Sequence, residues 1–463
     1  MKSSSINGIY ENQRVMMKLV VLCFCLIMMM NHIIIPIIHG ETLLSEPGER
    51  TCHENLNDRC GDLFIPAVMI DPTTRASSQS SSISFRNGRY LRKSNDSGIE
   101  FDWSGIIIST QIVYTENSSL HSSNAVLKTL IHLKDLGNLY NIYLWRAVDS
   151  NNSQKQFLQE LTLVTNHDSN SVGYAVEFSW ARVARLTTYT LEIEIEKRTE
   201  AMLGVATFYG FSFVKCDMFS VEPAIMKNTQ ATPLRGGSNS NTLKIEFIGD
   251  SITCAYGNLG KPPCAYTPNT QDVHESFVEK TARYLGASEI HVECWSGKGV
   301  VRNYGDKNTT SKDPFPVYYP RTLANNPNVS WDFKTSNFIP DIVVITLGSN
   351  DFSTPPRPSY EEFSTGYQHF IDFIMSKYLP LKGPSFKLVL VSVVVTENYG
   401  EFIQKVAQSQ PTYGKTVYFA SLEDVWRNFQ TNDWGCNGHP SVSGDEKMAK
   451  ALSSFISKYV IGQ

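Results

Sequence analysis

Apolar and polar positions alternate most cleanly at 189–196, where Leu191, Ile193 and Ile195 interleave with Glu192, Glu194 and Glu196. A period of two predicts a strand with one buried face and one wet face. Shorter runs of β-type residues lie at 99–103, 106–114, 126–133, 141–147, 158–164 and 174–178, separated by polar turns. Several such runs at close spacing predict a β-sandwich across 41–225. The run MKNTQATPLRGGSNSN at 226–241 is polar, without apolar period, and reads as a linker.

Beyond the linker the pattern changes. Strand-length apolar runs at 245–248, 289–294, 341–347, 388–395 and 417–422 are separated by helical candidates at 360–378 and 401–408. A last helix is expected at 443–459, with Met448, Leu452, Phe455, Ile456 and Tyr459 on one face. Strand–helix alternation predicts an α/β domain over 242–463, its parallel sheet covered on both sides. Ligands of such sheets sit beyond the carboxyl ends of the strands.

Composition narrows the class. The 463 residues are 41% hydrophobic and 19% charged, as in a soluble globular protein. A net charge of −4 provides no basic face for nucleic acid or acidic membranes. Aromatic residues make up 11%, a leaning towards extracellular β-rich domains and sugar-contacting surfaces. Lys2, Arg14 and Lys18 precede the apolar run 19–30, and cleavage after Gly40 would make 1–40 a secretion signal. The alternative is a retained membrane anchor, but the uninterrupted run is short for a span. Without Cys23 and Cys25, seven cysteines remain, and Cys52–Cys60 and Cys254–Cys264 are spaced as local disulfides. Asn95, Asn117, Asn151, Asn308 and Asn328 are N-glycosylation acceptors if the chain is secreted.

Candidate chemistry gathers after the strands of the second half. In KIEFIGDSITCAYGN (244–258), Ser251 sits where a strand ends and the following turn directs backbone N–H groups at its hydroxyl. After the next strand, WSGKGVVRNYG offers Gly297 and Gly299, whose N–H groups approach an oxyanion without a side chain in the way. VVITLGSNDFS places Asn350 directly after a third strand, as a side-chain oxyanion donor. DWGCNGHPSVSGDEKMA holds His439 just before the last helix, as a general base for Ser251. Each block alone also fits an ordinary turn; their order after successive strands is what argues for catalysis. Trp295, Trp434 and Tyr256 flank these residues, either to stack on a sugar ring or as core and rim aromatics.

Together GDSITCAYGN, the SGKG loop, LGSND and HPSVSG resemble the four blocks of the SGNH (GDSL-type) hydrolases. Within them, GDSITCAYGN, WSGKGVVRNY, PDIVVITLGSNDFS and GCNGHPS resemble carbohydrate esterase family 2. GRYLRKSNDSGIEFDWSG (88–105) resembles its N-terminal jelly-roll domain, and the likeness covers 85–463. The resemblance implies a three-layer catalytic domain behind a jelly-roll sandwich. It also implies an O-acetyl esterase for plant-type polysaccharides such as xylan or glucomannan, working without metal or cofactor. Ser251 would attack the acetyl carbonyl and His439 take its proton; the N–H groups of Ser251 and of Gly297 or Gly299, with the Asn350 amide, would hold the oxyanion. One departure concerns the base. The family's orienting aspartate, three or two residues before the histidine, is here Cys436 or Asn437. The expectation is therefore a Ser–His dyad whose Nδ1–H is held by a backbone carbonyl, with Asp433 as an alternative third member. Rival functions are an esterase for other acyl groups and a non-catalytic glycan-binding protein.

Overall fold

The computed structural model describes residues 37–39, 60–67, 83–93, 98–116, 123–148, 154–165, 173–183, 187–216, 219–224, 242–396 and 398–462. The expected leader (apart from 37–39), the linker, Cys52 and the acceptors Asn95, Asn117 and Asn151 lie outside these residues, as do the side chains of Cys60 and Cys216.

The first half is built of antiparallel strands. Thr188–Lys197 lies between Ile107–Glu116 and Leu139–Ala147, and Leu139–Ala147 carries Lys155–Val164 on its far edge. A second hub, Ala206–Cys216, pairs with Asn124–Lys134, Cys60–Pro66 and Ile99–Phe101. The inward faces share one core that includes Ile112, Leu127, Ile142, Ile193 and Phe211. The hub strand is absent from the apolar pattern because a bulge between Phe208 and Gly210 shifts its register. One extra residue moves Phe211 and Phe213 out of phase with Phe208 and breaks the alternation.

The expected wet face of Thr188–Lys197 is not wet. Glu192, Glu194 and Glu196 are all buried. Glu192 accepts from Gln111 and pairs with Lys155 (both 2.8 Å), Glu194 pairs with Arg86, and Glu196 faces His274 of the second half at 3.7 Å. Alternation correctly marks two faces, but charged residues also line a face that other polar side chains cover.

The second half is a five-stranded parallel sheet in the order Glu289–Cys294, Lys244–Gly249, Ile342–Ile345, Lys387–Ser392, Val417–Ser421. Side chains alternate across it. Ile245 and Phe247 pack with Phe277 of helix Phe277–Tyr284 and with Met448 and Leu452 of helix Val442–Phe455. Ile248, Val343 and Ile345 pack on the other side with Phe363, Tyr367 and Phe370 of helix Tyr360–Lys382 and with Ile403 of helix Tyr399–Gln408. On the last helix Met448, Leu452 and Ile456 are buried as the spacing predicts, whereas Tyr459 is 55% exposed. There the backbone changes to π geometry over Ile456–Ile461, which turns the face. No helix among the described residues is long and apolar enough to cross a membrane.

Buried polar groups join the halves. Arg89 pairs with Glu246 (2.9 Å) and Glu293 (3.1 Å) on two neighbouring parallel strands. Asp102 accepts the Ala324 and Asn325 N–H groups at 2.9 and 2.8 Å, and the Trp103 indole donates to the Thr322 carbonyl at 3.1 Å.

Candidate active site

Three neighbouring strands deliver three loops to one end of the parallel sheet. Lys244–Gly249 ends at Asp250 and Ser251; the adjacent Glu289–Cys294, which pairs Cys294 with Gly249, runs into the Gly297 loop; Ile342–Ile345 on the other side runs into Ser349 and Asn350. The Trp295 N–H donates to the Gly249 carbonyl at 3.2 Å. The Asn350 amide donates to the Lys298 carbonyl at 3.0 Å and to Asp250 at 3.2 Å. Buried Asp250 also accepts from Ser349 Oγ and from the Ile252 N–H at 3.1 Å. Burial pushes its carboxyl up to about 6 against those donors.

The three backbone N–H groups expected at the oxyanion differ in what they face. The N–H groups of Ser251 and Gly297 donate to no protein acceptor among the described residues. The Gly299 N–H instead donates to Asn303 Oδ1 at 3.3 Å. Gly299 is small for another reason: a Cβ there would lie 2.0 Å from the Arg302 carbonyl and 2.3 Å from Asp351 Oδ2. Asp351 takes the Val300, Val301 and Arg302 N–H groups at 2.8–2.9 Å and so clamps the loop. Burial still pushes its carboxyl up to about 7. Of the two glycines, Gly297 is therefore the one whose N–H has no acceptor among the described residues.

His439 arrives from the far end of the chain. Its Nε2 lies 2.8 Å from Ser251 Oγ. Its Nδ1 lies 3.3 Å from the Asn437 carbonyl, which fixes Nδ1 as the protonated nitrogen and leaves Nε2 to accept the serine proton. Asn437 adopts left-handed backbone geometry (φ +51°). Burial lowers the His439 pKa, and the Asn437 and Cys436 carbonyls partly offset that. The expected local pair Cys254–Cys264 does not form. Cys264 is bonded to Cys436, three residues before the histidine, and Cys254 to Cys294, at the root of the Gly297 loop. Spacing along the chain misses this because the parallel sheet brings together loops 40 and 172 residues apart. The nucleophile turn and the histidine loop also meet glycine against glycine, since a Cβ on Gly435 would lie 2.4 Å from the Gly257 carbonyl.

Asp433 is committed elsewhere. It takes the Gln430 N–H and Ser443 Oγ, both at 2.7 Å, and pairs with Lys447. Against burial, which works the other way, these partners hold its carboxyl below the usual range. It anchors the start of helix Val442–Phe455 rather than the imidazole. Asp433→Asn is expected to lower Tm, by about 2–4 °C for each kcal/mol lost. It should leave kcat/KM within about threefold of wild type; thermal melts and initial rates check both.

The flanking aromatics divide. Tyr256 stacks on Tyr266 (4.0 Å, 14°) and packs 4.5 Å from the His439 ring. Trp295 is half-buried against Tyr318 at 4.8 Å. Trp434 sits edge-on against Trp426 and Phe429, as part of the packing beneath the histidine loop. Tyr304, which sequence reasoning passed over, is 64% exposed, and its N–H holds the Gly297 carbonyl at 2.8 Å. Among the described residues, Glu246, His291 and Glu293 bring potential metal-ligating atoms within 4.8 Å of one another. Arg89 already lies between the two carboxylates, and burial lowers the His291 pKa to about 4.

Residues 245–452 match the family model described as GDSL-like Lipase/Acylhydrolase. Over 272 residues the chain is 38% identical to the Cellulase/esterase CelE of Acetivibrio thermocellus, covering 56% of this chain and 29% of that protein. It is 29% identical over 223 residues to the Acetylxylan esterase / glucomannan deacetylase of Cellvibrio japonicus, covering 46% of this chain and 58% of that one. The chain thus spans less than two thirds of either curated relative. A solved family two carbohydrate esterase from Clostridium thermocellum, in complex with cellohexaose, aligns with a TM-score of 0.60 at 25% identity, over 82% of this chain and 100% of that one.

Proposed function

We propose, from the premise that residues 245–452 are a GDSL-like lipase/acylhydrolase domain, that this chain is a secreted carbohydrate esterase removing O-acetyl groups from plant-type polysaccharide. The observation that carries the reading is the 2.8 Å contact between Ser251 Oγ and His439 Nε2, beside the N–H groups of Ser251 and Gly297, which have no acceptor among the described residues. The name of one relative, the acetylxylan esterase / glucomannan deacetylase, supplies the substrate class, xylan or glucomannan.

In this mechanism Ser251 Oγ attacks the acetyl carbonyl carbon while its proton passes to His439 Nε2. The negative oxygen of the tetrahedral intermediate meets the Ser251 and Gly297 N–H groups and the Asn350 amide, which gives up its 3.2 Å bond to Asp250 to reach it. His439 then returns the proton to the departing sugar oxygen, leaving an acetyl-enzyme. Water, deprotonated by the same nitrogen, releases acetate and restores the serine. The Asn437 carbonyl orients the imidazole where related enzymes use a carboxylate. Exposed Tyr304 offers a face to a sugar ring beside Gly297. The first half, as a jelly-roll sandwich, braces the catalytic loops, and Asn308 and Asn328, both exposed, carry glycans in the secreted protein.

The base must be neutral to accept a proton, so activity falls as pH drops through its pKa. Burial lowers that pKa, and the acidic limb of kcat/KM is expected below the ordinary histidine value of about 6.5. A limb above that value would contradict the assignment. Function is tested by acetate release from acetylated xylan and glucomannan, beside aryl esters of increasing chain length. Release from either polymer with acetyl preferred over butyryl supports the proposal. Hydrolysis of longer aryl esters without polymer deacetylation would replace it with a general esterase. Glycan binding without turnover would leave a binding protein.

A further inference from the structure

Glu200 belongs to the antiparallel half, in the segment KRTEAML that sequence reading assigned no role. It is fully buried, and its carboxylate reaches into the catalytic half. One oxygen accepts the Ser296 N–H and the other accepts Ser296 Oγ, both at 2.6 Å. Ser296 immediately precedes Gly297, so the two bonds fix the residue whose carbonyl carbon shares a peptide plane with the Gly297 N–H. The second oxygen also accepts from Gln271 Nε2 at 3.4 Å. That nitrogen donates to the Cys254 carbonyl in the nucleophile turn at 2.9 Å, and the Gln271 oxygen accepts from Tyr266 OH at 2.8 Å. Tyr266 stacks on Tyr256, and Tyr256 packs on His439.

We propose that Glu200 is a positioning residue for the oxyanion donor Gly297, supplied to the catalytic centre by the non-catalytic half. This rests on the esterase reading above. A planar carboxylate that takes the Ser296 N–H and hydroxyl together fixes the Trp295–Ser296 peptide unit and the Ser296 side chain, and so holds the residue from which the Gly297 N–H projects. Preorganised donors act only when they already point to where the charge develops. Glu200 touches neither substrate nor reacting atoms. Its loss lets the Gly297 N–H swing away while Ser251 and His439 stay in contact.

The test compares Glu200→Ala, Glu200→Gln and Ser296→Ala with wild type on an aryl acetate, with Ser251→Ala in parallel. Glu200→Ala is expected to lower kcat roughly tenfold to a hundredfold, short of the full loss of an oxyanion donor. KM should change little, and the acidic limb of the pH profile should stay in place because His439 is untouched. Glu200→Gln keeps an oxygen for the Ser296 N–H and gives the hydroxyl a donor to accept, but sets its NH2 against the Gln271 amide, so it should recover part of kcat and exceed Glu200→Ala. Ser296→Ala, which keeps the N–H, should fall between wild type and Glu200→Ala. A Glu200→Ala protein with a lowered Tm but wild-type kcat would overturn the proposal, as would a Glu200→Gln no better than alanine. If Glu200→Ala does not fold, Glu200→Gln and Ser296→Ala decide: wild-type kcat in Ser296→Ala with a collapsed kcat in Glu200→Gln contradicts it. If Ser251→Ala retained activity, the esterase reading itself would fail; loss in Ser251→Ala with no loss at Glu200 removes this inference alone.

Discussion

Ser251→Ala is expected to reduce acetate release by roughly 10⁴- to 10⁶-fold without changing the fold. Among the described residues the hydroxyl bonds to His439 alone, so its removal leaves the turn itself intact. The Cys254 N–H still reaches the Asp250 carbonyl at 3.0 Å, and the Tyr256 N–H the Ser251 carbonyl at 2.9 Å. His439→Ala should cost a similar factor, because a serine at neutral pH is a poor nucleophile without a base. The double variant should be little worse than either single one, since the two act as a unit. Additive losses would mean that another group deprotonates the serine. Initial rates at high enzyme concentration, with matched circular dichroism, check the prediction.

The second large effect is expected at Asn350. Removing a side-chain donor to an oxyanion costs about 10²- to 10³-fold in kcat, and Asn350→Ala should fall in that range. The amide already donates to Asp250 and to the Lys298 carbonyl, so it ties the nucleophile turn to the Gly297 loop before substrate arrives. Asn350→Asp should be more damaging than alanine. It would set a second carboxylate against buried Asp250, whose own carboxyl is already pushed up by burial. Equal kcat in wild type and Asn350→Ala would remove Asn350 from the oxyanion site.

The five parallel strands were legible because each is a short apolar run bounded by turn residues, and the parallel pairing then follows from the helices between them. The site was legible for a related reason: its residues follow strand ends, where the sheet presents them together. Ser251, Asn350 and His439 could be named from order alone, and the structure brings their loops together. What stayed hidden depends on contacts between distant segments. Ala206–Cys216 escaped because one bulged residue breaks its alternation. Glu192, Glu194 and Glu196 read as solvent-facing because a strand's own pattern does not reveal a salt-bridged cover. Cys254 was matched to the nearer Cys264, although the sheet sets it beside Cys294. Glu200 carried no motif at all; its place follows from where the antiparallel half meets the Gly297 loop.

The most direct test of the central claim is to quench turnover of an acetate ester with acid within the first catalytic cycles and map the protein by mass spectrometry. An acetyl group is expected on the peptide that holds Ser251, absent from Ser251→Ala and lost on longer incubation as water completes the cycle. Turnover by wild type with no acyl adduct at any time, or an adduct that persists in Ser251→Ala, would contradict it.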